Sequence, residues 1–411
     1  MPICQERIAR DIQAIARATE TPGDGASRPT FSSAWAQAVE YVISEAQACG
    51  CHAHRDAAGN IHVRPVGHDA GTPLWLCGSH LDSVPHGGNF DGVVGVVVPL
   101  ELLRAAYDDG RKSLPLELII FAEEEGTTFG LGMLGSRTWC GLLDAERLAE
   151  LRNAQGQNYL EAGSLLGVAA ERFAADRLRA DAYRGMVEVH IEQGPGMWNR
   201  DQPVAIVTRI NGRRQYRAVI SGIANHAGTT SMADRCDALA GAASMITAIE
   251  VLPVALGQHA VATVGHIECR PNALNVIADS VHFTIDLRAP TDEALEQGNA
   301  ALRCQLAEIA KRRQLKLAID MTEMAPATEL ASEVIVKLRT AAERVARSVV
   351  ETVSGALHDA AIIGRFLPTA MLFIASRDGI SHNPAEFSRM DDIALAARIL
   401  YSMVGGDDEA A

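Results

Sequence analysis

From Thr72 to Gly212, continuous apolar runs alternate with runs of helical periodicity. The segments PLWLCGS, LELIIFA, GMVEVHIE and VAIVTRI carry too few polar positions to leave a face in water, so they read as strands buried on both faces. Between the first two, DGVVGVVVPLELLRAAYDD repeats apolar positions at helical spacing from Val93 to Leu103. Strands and helices in alternation predict an α/β unit with a mixed, mostly parallel sheet and helices on both faces. Upstream, HAHRDAAGNIHVRPVG alternates as an added hairpin, its turn at Ala58-Gly59-Asn60.

After TRINGRR the pattern changes. QYRAVISGI alternates as a half-buried strand, and SMADRCDALAGAASMITAIEVL reads as a helix capped by Ser231. AVATVGHIEC and SVHFTIDLR read as two more strands, TDEALEQGNAALRCQLAEIAKRR as a helix starting at Thr291, and LKLAIDMTE as a closing strand. The order β-α-β-β-α-β is the split βαβ (ferredoxin-like) sandwich, an α+β unit. A helical stretch over 329–349 and the strand PTAMLFIAS then resume the first style. The expected organisation is therefore a discontinuous domain, 1–211 with 327–411, interrupted by an inserted domain, 212–326. Hinges fall near Asn211-Gly212 and Ala325-Pro326.

Polar side chains cluster where the α/β strands end. His80 and Asp82 follow LWLCGS, Glu123-Glu124-Glu125 follow LIIFA, His190 and Glu192 end VEVHIEQG, and His382 follows LFIAS. In open α/β sheets that edge is where ligands bind. Consecutive carboxylates need a positive neighbour, and the local sequence offers no Lys or Arg. Divalent ions would supply the charge, and histidine nitrogens with carboxylate oxygens suit zinc, manganese, cobalt or nickel. Asp82, two residues past His80, suits the carboxylate that orients a ligating imidazole. His62, His68, His259, His266 and His282 stand without acidic company in hairpins, loops or strands of the inserted unit and read as structural.

The 411 residues exceed one ordinary core, and 48% are hydrophobic. A formal net charge of −14, with no basic run, argues against a nucleic-acid partner. No run approaches the ~20 uninterrupted apolar residues of a transmembrane helix, and MPICQERIARDIQAIARATE reads as an amphipathic helix rather than a secretion signal. Eight cysteines without a CxxC pair read as buried thiols in a reducing compartment. The expectation is a cytoplasmic protein with no membrane partner.

Seven motifs in order, GSHLDSVPHGGNFDGVVGV, FAEEEGTTF, HIEQGP, NHAGTT, RPNALNVIADSVHFTIDLR, SGALHDA and GISHNPAE, span nearly the whole chain. Together they resemble the amidases of hydantoinase/carbamoylase type. These form a branch of the aminoacylase-like co-catalytic metallopeptidases that holds N-carbamoyl-L-amino acid hydrolases and allantoate amidohydrolases. The resemblance implies two divalent metal ions held by His80, Asp91, Glu125, His190 and His382, with Asp91 bridging. It implies Glu124 as general base, Asp82 beside His80, and His226 as oxyanion donor. Gln193, Arg214, Asn275, Arg288 and the backbone at Gly355 would line a pocket for a small ureido substrate, Arg288 gripping its carboxylate. It also implies that the inserted domain is a lid through which a homodimer forms. His86 carries no such implication and reads as a loop residue.

Two positions depart from the branch: Thr128 stands where Arg is common, and Leu357 where Gly is usual. The leading expectation is hydrolysis of an N-carbamoyl-L-amino acid to the amino acid, carbon dioxide and ammonia. The alternative is allantoate or ureidoglycolate amidohydrolysis, favoured by Arg214 in GRRQY. An aminoacylase or dipeptidase, and a binding module without catalysis, come after these.

Overall fold

The computed structural model describes residues 3–69, 71–110, 114–345 and 349–406. Its strands are β1 Cys51–Arg55, β2 Ile61–Pro65, β3 Leu74–His80, β4 Leu116–Phe121, β5 Tyr183–Ile191, β6 Val204–Ile210, β7 Gly212–Ser221, β8 Val261–Thr263, β9 Ile267–Arg270, β10 Ser280–Ala289, β11 Lys316–Ala325, β12 Thr328–Glu329, β13 Val350–Ser354 and β14 Thr369–Ile374. The chain forms two compact units. One comprises Met1–Thr208, Leu330–Thr352 and His358–Ala411; the other comprises Arg209–Glu329 and Val353–Leu357.

The sheet of the first unit runs β1-β2-β4-β3-β5-β14-β6. Its centre is parallel, since β3 pairs in parallel with both β4 and β5, and β14 with β5. The β1–β2 hairpin extends one side in antiparallel fashion. On the other side, VAIVTRI pairs antiparallel with β14 and not parallel as its apolar run suggested. Every residue of β3, β4 and β14 is buried, which is why their sequences show no alternation. The helix Val93–Asp108 packs against β3, β4 and β5. Parallel strands that end together bring distant sequence segments to one edge, and the candidate residues gather there.

In the second unit the antiparallel order is β11-β7-β10-β8, with β9 also on β10. Here burial alternates strictly along β7 and β10, because helices Ala238–Val251 and Asp292–Arg312 cover one face only. Thr291 caps the second of these helices, accepting the Ala294 N–H. The first is capped by Asp237, which accepts from Leu239 and Ala240; Ser231 precedes only a short turn and donates to Asp234. An Asp side chain one residue before the helix satisfies free N–H groups, and Ser231 lies too far upstream to do so. By length and composition, Ala238–Ala255 is the one helical stretch among the described residues apolar enough to cross a membrane. Its Ala238, Ala242, Met245 and Ile249 pack in the core of this unit, and a third of the stretch is buried.

Two expectations from the hairpin and the cysteines need correction. Cys304 is exposed, since it lies on the outer side of its helix, and Cys4, Cys236 and Cys269 are half-buried, which leaves Cys49, Cys51, Cys77 and Cys140 as the buried thiols. His62 does have acidic company: it is buried between Glu117, 2.5 Å from Nδ1, and Asp56, 3.3 Å from Nε2, both brought to it by strand pairing and the hairpin turn. Burial opposes the charged imidazole, but these two carboxylates push His62 up to about 9. Glu117, buried beside His62 and Arg64, is held below its usual range.

The sign of the resulting stability follows from linkage. A group raised from 6.5 to about 9 on folding contributes its full stabilisation below the unfolded value and loses it as pH climbs through the folded one. Stability should therefore fall between about pH 6.5 and 9 by a few kcal/mol at most. His62→Gln should lower the melting temperature at pH 6.5 and flatten that slope. Calorimetry of the metal-saturated protein across this range checks it, and an unchanged slope in the variant refutes the assignment.

Candidate active site

The chain between β3 and the helix at Val93 returns to its starting edge, and two glycines make that return possible. Gly92 takes φ +67, and a Cβ there would meet the His80 ring at 2.6 Å. A Cβ at Gly88 would overlap the Glu386 carboxylate. Glu386 accepts the N–H of Phe90 at 2.8 Å and of Asp91 at 3.1 Å, and Ser381 donates to it at 2.9 Å. This clamp fixes the Asp91 backbone, so its carboxylate points back to the ends of β3 and β5.

Around Asp91 the donors fall into two groups that share it: His80, Asp91 and His190 in one, Asp91, Glu125 and His382 in the other. His190 Nε2 is 3.2 Å and His80 Nε2 3.8 Å from Asp91 Oδ1, while His382 Nε2 is 3.2 Å from Asp91 Oδ2 and 3.6 Å from Glu125 Oε2. His80 Nδ1 faces the Asp82 carbonyl oxygen at 2.9 Å, and His190 Nδ1 the Ile191 carbonyl oxygen at 3.0 Å. A carbonyl can only accept, so each Nδ1 carries a proton and each Nε2 of the neutral ring turns a lone pair toward a carboxylate oxygen. Two acceptors face one another there, and a cation between them satisfies both. The residues thus fit divalent ions in donor type and arrangement.

Electrostatics agree. Burial, then Glu125, Asp359, Asp82 and Asp91, hold the Glu124 carboxyl well above its usual range, and burial with Asp91 and Asp82 does the same to Glu125. Burial depresses His80 to about 4. Burial also disfavours a charged His190, but Asp91 pushes it up to about 9, so that without a cation a proton on Nε2 takes the place between the two acceptors. Positive charge does reach the cluster, from a residue that the local sequence did not reveal. Arg28 is fully buried, donates from Nε to the Leu81 carbonyl at 2.8 Å, and is depressed by burial to about 10 against the pull of Asp82, Glu386 and Asp91. One guanidinium does not balance so many carboxylates, which keeps the demand for cations.

The three consecutive glutamates separate into three environments. Glu123, in the left-handed region at φ +57, accepts the N–H of Thr128 and Phe129, each at 2.8 Å, and so anchors its own loop. Glu124 Oε2 lies 3.7 Å from His80 Nε2, and Glu125 stands beside His382. Asp82 is arranged otherwise than expected: its carbonyl, not its carboxylate, takes the His80 Nδ1–H, and Oδ2 accepts the Glu125 N–H at 3.0 Å. Its Oδ1, 3.9 Å from His80 Nδ1, is buried without a hydrogen bond. Gln193 donates to Asp91 Oδ2 at 2.8 Å. Half-exposed His86 pairs with Asp24 away from these donors.

His358 of SGALHDA and Glu386 of GISHNPAE also reach this cluster, although no strand end or spacing in the sequence marks them. His358 packs edge-on against His190 with ring centroids 4.5 Å apart, and with Glu188 and His190 it forms a further donor group. Glu188 already accepts from Ser79 and from the Ala360 N–H.

The remaining candidates belong to the second unit. The exposed His226 ring accepts the Gly228 N–H on Nδ1 at 3.0 Å, which leaves the ring proton on Nε2 as an outward donor. Asn275 lies next to it, its carbonyl accepting the Ala227 N–H. Arg288 opposes Arg213 on the face of the sheet without helices; it forks onto Asp286 and donates to the Gly355 carbonyl at 2.8 Å. Arg214 opposes Leu287, so alternation sends it to the helix-covered face, where it is buried and bonded to Glu296 on Asp292–Arg312. Arg214 and Arg288 therefore do not share a face. Thr128 Oγ1 accepts the Thr30 N–H at 3.0 Å, so this departure serves loop packing. Nothing in the structure explains Leu357.

Residues 76–405 match the model of Peptidase family M20/M25/M40. The chain is similar to the N-carbamoyl-L-amino acid amidohydrolase of Geobacillus stearothermophilus, at 36% identity over 97% of each chain. It is also similar to the allantoate amidohydrolase of Escherichia coli (strain K12), at 30% identity over 93% of each. A solved hydantoinase/carbamoylase family amidase from Burkholderia multivorans superposes with a TM-score of 0.91, at 31% identity and 98% coverage of both chains. Family, fold and edge-gathered donors agree: the chain belongs to Peptidase family M20/M25/M40, within its hydantoinase/carbamoylase amidase branch, and is a hydrolase of carbon–nitrogen bonds other than peptide bonds.

Proposed function

We propose that the protein hydrolyses N-carbamoyl-L-amino acids, using two divalent ions held by His80, Asp91, Glu125, His190 and His382. The observation that carries this reading is the single carboxylate of Asp91 shared by two donor groups, with Glu124 beside them and in neither. Bound ions would polarise the ureido carbonyl and lower the pKa of the attacking water. Glu124 takes the proton of that water and hands it to the departing nitrogen. R–NH–CO–NH2 and water thereby give R–NH2, carbon dioxide and ammonia. Asp82 holds the Glu125 backbone and, through its own carbonyl, the His80 ring, which keeps both side chains in place for the reaction.

The roles proposed for the second unit are chemical. The Nε2–H of His226 suits the oxyanion of a tetrahedral intermediate. Arg288 suits a substrate carboxylate, and Asn275, Gln193 and Gly355 suit its polar remainder. Arg214, the residue that favoured allantoate, is committed to Glu296 on the covered face, and the highest of the three quoted identities is to a carbamoylase. The homodimer, the cytoplasmic setting and the choice among zinc, manganese, cobalt and nickel belong to the same proposal.

The test strips the protein with chelator and restores each ion in turn. kcat/KM is then measured on N-carbamoyl-L-methionine, allantoate, ureidoglycolate and a dipeptide panel. The expected result is metal-dependent activity with at least about tenfold preference for the N-carbamoyl amino acid, worth about 1.4 kcal/mol of differential transition-state binding. Preference for allantoate or ureidoglycolate overturns the substrate. Hydrolysis of no ureide under any ion overturns the reading as a whole.

A further inference from the structure

A cavity of about 480 Å3 opens in the first unit between the end of helix Ser33–Ala48, the β1–β2 hairpin and the far end of helix Val93–Asp108. Cys49, Gly50, Cys51 and Tyr107 are among its lining residues. Cys49 terminates the helix, Cys51 begins β1, and Gly50 between them takes φ +74, doubling the chain back so that both thiols face one way. Their Sγ atoms are 4.0 Å apart, and Cys49 Sγ also lies 3.2 Å from the Ala46 carbonyl. Each residue keeps a sliver of exposure, 8% and 7%, at the cavity wall. Nothing in the hydrolytic chemistry uses this pair.

We propose that Cys49 and Cys51 form a redox-active dithiol, a site of reversible oxidation to an intrachain disulfide by low-molecular-weight disulfides that enter this cavity. The Cys49 thiolate attacks one sulfur of R–S–S–R, forming Cys49–S–S–R and releasing R–S⁻, which takes up a proton. Cys51 gives its proton to solvent and attacks Cys49 Sγ, forming the Cys49–Cys51 bond and expelling the second R–S⁻. The protein loses two electrons and two protons, and R–S–S–R becomes two R–SH.

Cys49 donates its one thiol proton to the Ala46 carbonyl, so across the 4.0 Å contact the Cys51 thiol donates to Cys49 Sγ; that contact favours Cys49 as the attacking sulfur and holds its thiol below the ordinary value, while the same contact and burial push Cys51 up. Closing the sulfurs to about 2.05 Å across a single glycine makes a small, strained ring. Strained disulfides are readily reduced, the behaviour of a modification site rather than a structural staple.

The test incubates the full-length, metal-loaded protein with oxidised glutathione, alkylates it under denaturing conditions and maps the peptides by mass. The peptide bearing Cys49 and Cys51 is expected to lose two hydrogens and escape alkylation, and reduced glutathione should restore it. Cys51→Ser should retain a glutathione adduct on Cys49, and Cys49→Ser should be modified at Cys51 at least about tenfold more slowly. If both cysteines are alkylated in the wild-type protein while exposed Cys304 carries glutathione, the proposal is wrong. It is equally wrong if the pair oxidises only above the melting temperature of the same sample.

Discussion

Asp91→Ala is expected to empty both of the proposed ion positions in one step. Without Asp91 the first donor group keeps two histidines and loses its only carboxylate, and the second is left with Glu125 and the half-exposed His382. Metal content, measured by mass spectrometry after dialysis against limiting ion, should fall from the proposed two per chain to a level not distinguishable from the chelated protein. Loss of both ions removes several kcal/mol of transition-state stabilisation, so kcat/KM should drop by about a thousandfold or more. Glu386→Gln is the graded companion: it keeps the loop contacts in shape and weakens the acceptor that holds the Phe90 and Asp91 N–H groups. A second-layer loss of that kind typically costs about 10- to 100-fold in metal affinity. Retention of one tightly held ion in Asp91→Ala would make Asp91 a ligand of the other ion only. Folding is checked by the melting temperature of the chelated proteins, in which the ions make no contribution.

Where the sequence was legible, a period or an abrupt end carried the signal. The unbroken apolar runs of β3, β4 and β14 had no other explanation than burial on both faces, and the strict alternation of β7 and β10 required one covered face. His80, Glu124, Glu125 and His190 stood out because polar groups follow such runs at a sheet edge. VAIVTRI misled for a physical reason, since a buried antiparallel strand has the same apolar pattern as a parallel one and direction is decided by the partner, β14. The contributions of Arg28 and Glu386 were illegible locally, because Arg28 meets Leu81 and Glu386 meets Asp91 across long stretches of chain. His62 failed likewise: its partner Glu117 comes from a strand with no sequence link to the hairpin. Arg214 is the inverse case. The strand period alone places it opposite in face to its neighbours Arg213 and Gln215, a consequence of the sequence GRRQY itself.

Glu124→Gln should separate base from ligand. Three adjacent carboxylates invite an arbitrary choice, but their surroundings remove it. Glu123 is spent on the Thr128 and Phe129 N–H groups, and Glu125 completes the donor group of Asp91 and His382. Glu124 is nine-tenths buried, near His80 Nε2, and no backbone N–H is given to its carboxylate among the hydrogen bonds described. A carboxylate so placed can take up and release a proton without dismantling a hydrogen bond that the fold needs. Gln preserves its volume and removes only the basic oxygen, so metal content and KM should stay within about twofold while kcat falls by about 10²- to 10⁴-fold, the range of general acid–base catalysis. Loss of an ion together with kcat would assign Glu124 to the ligand shell. A kcat within a few-fold of wild type would move the base elsewhere. Glu125→Gln supplies the contrast, since it should weaken the ion shared with His382 and be partly rescued by added metal, whereas no concentration of metal should rescue Glu124→Gln.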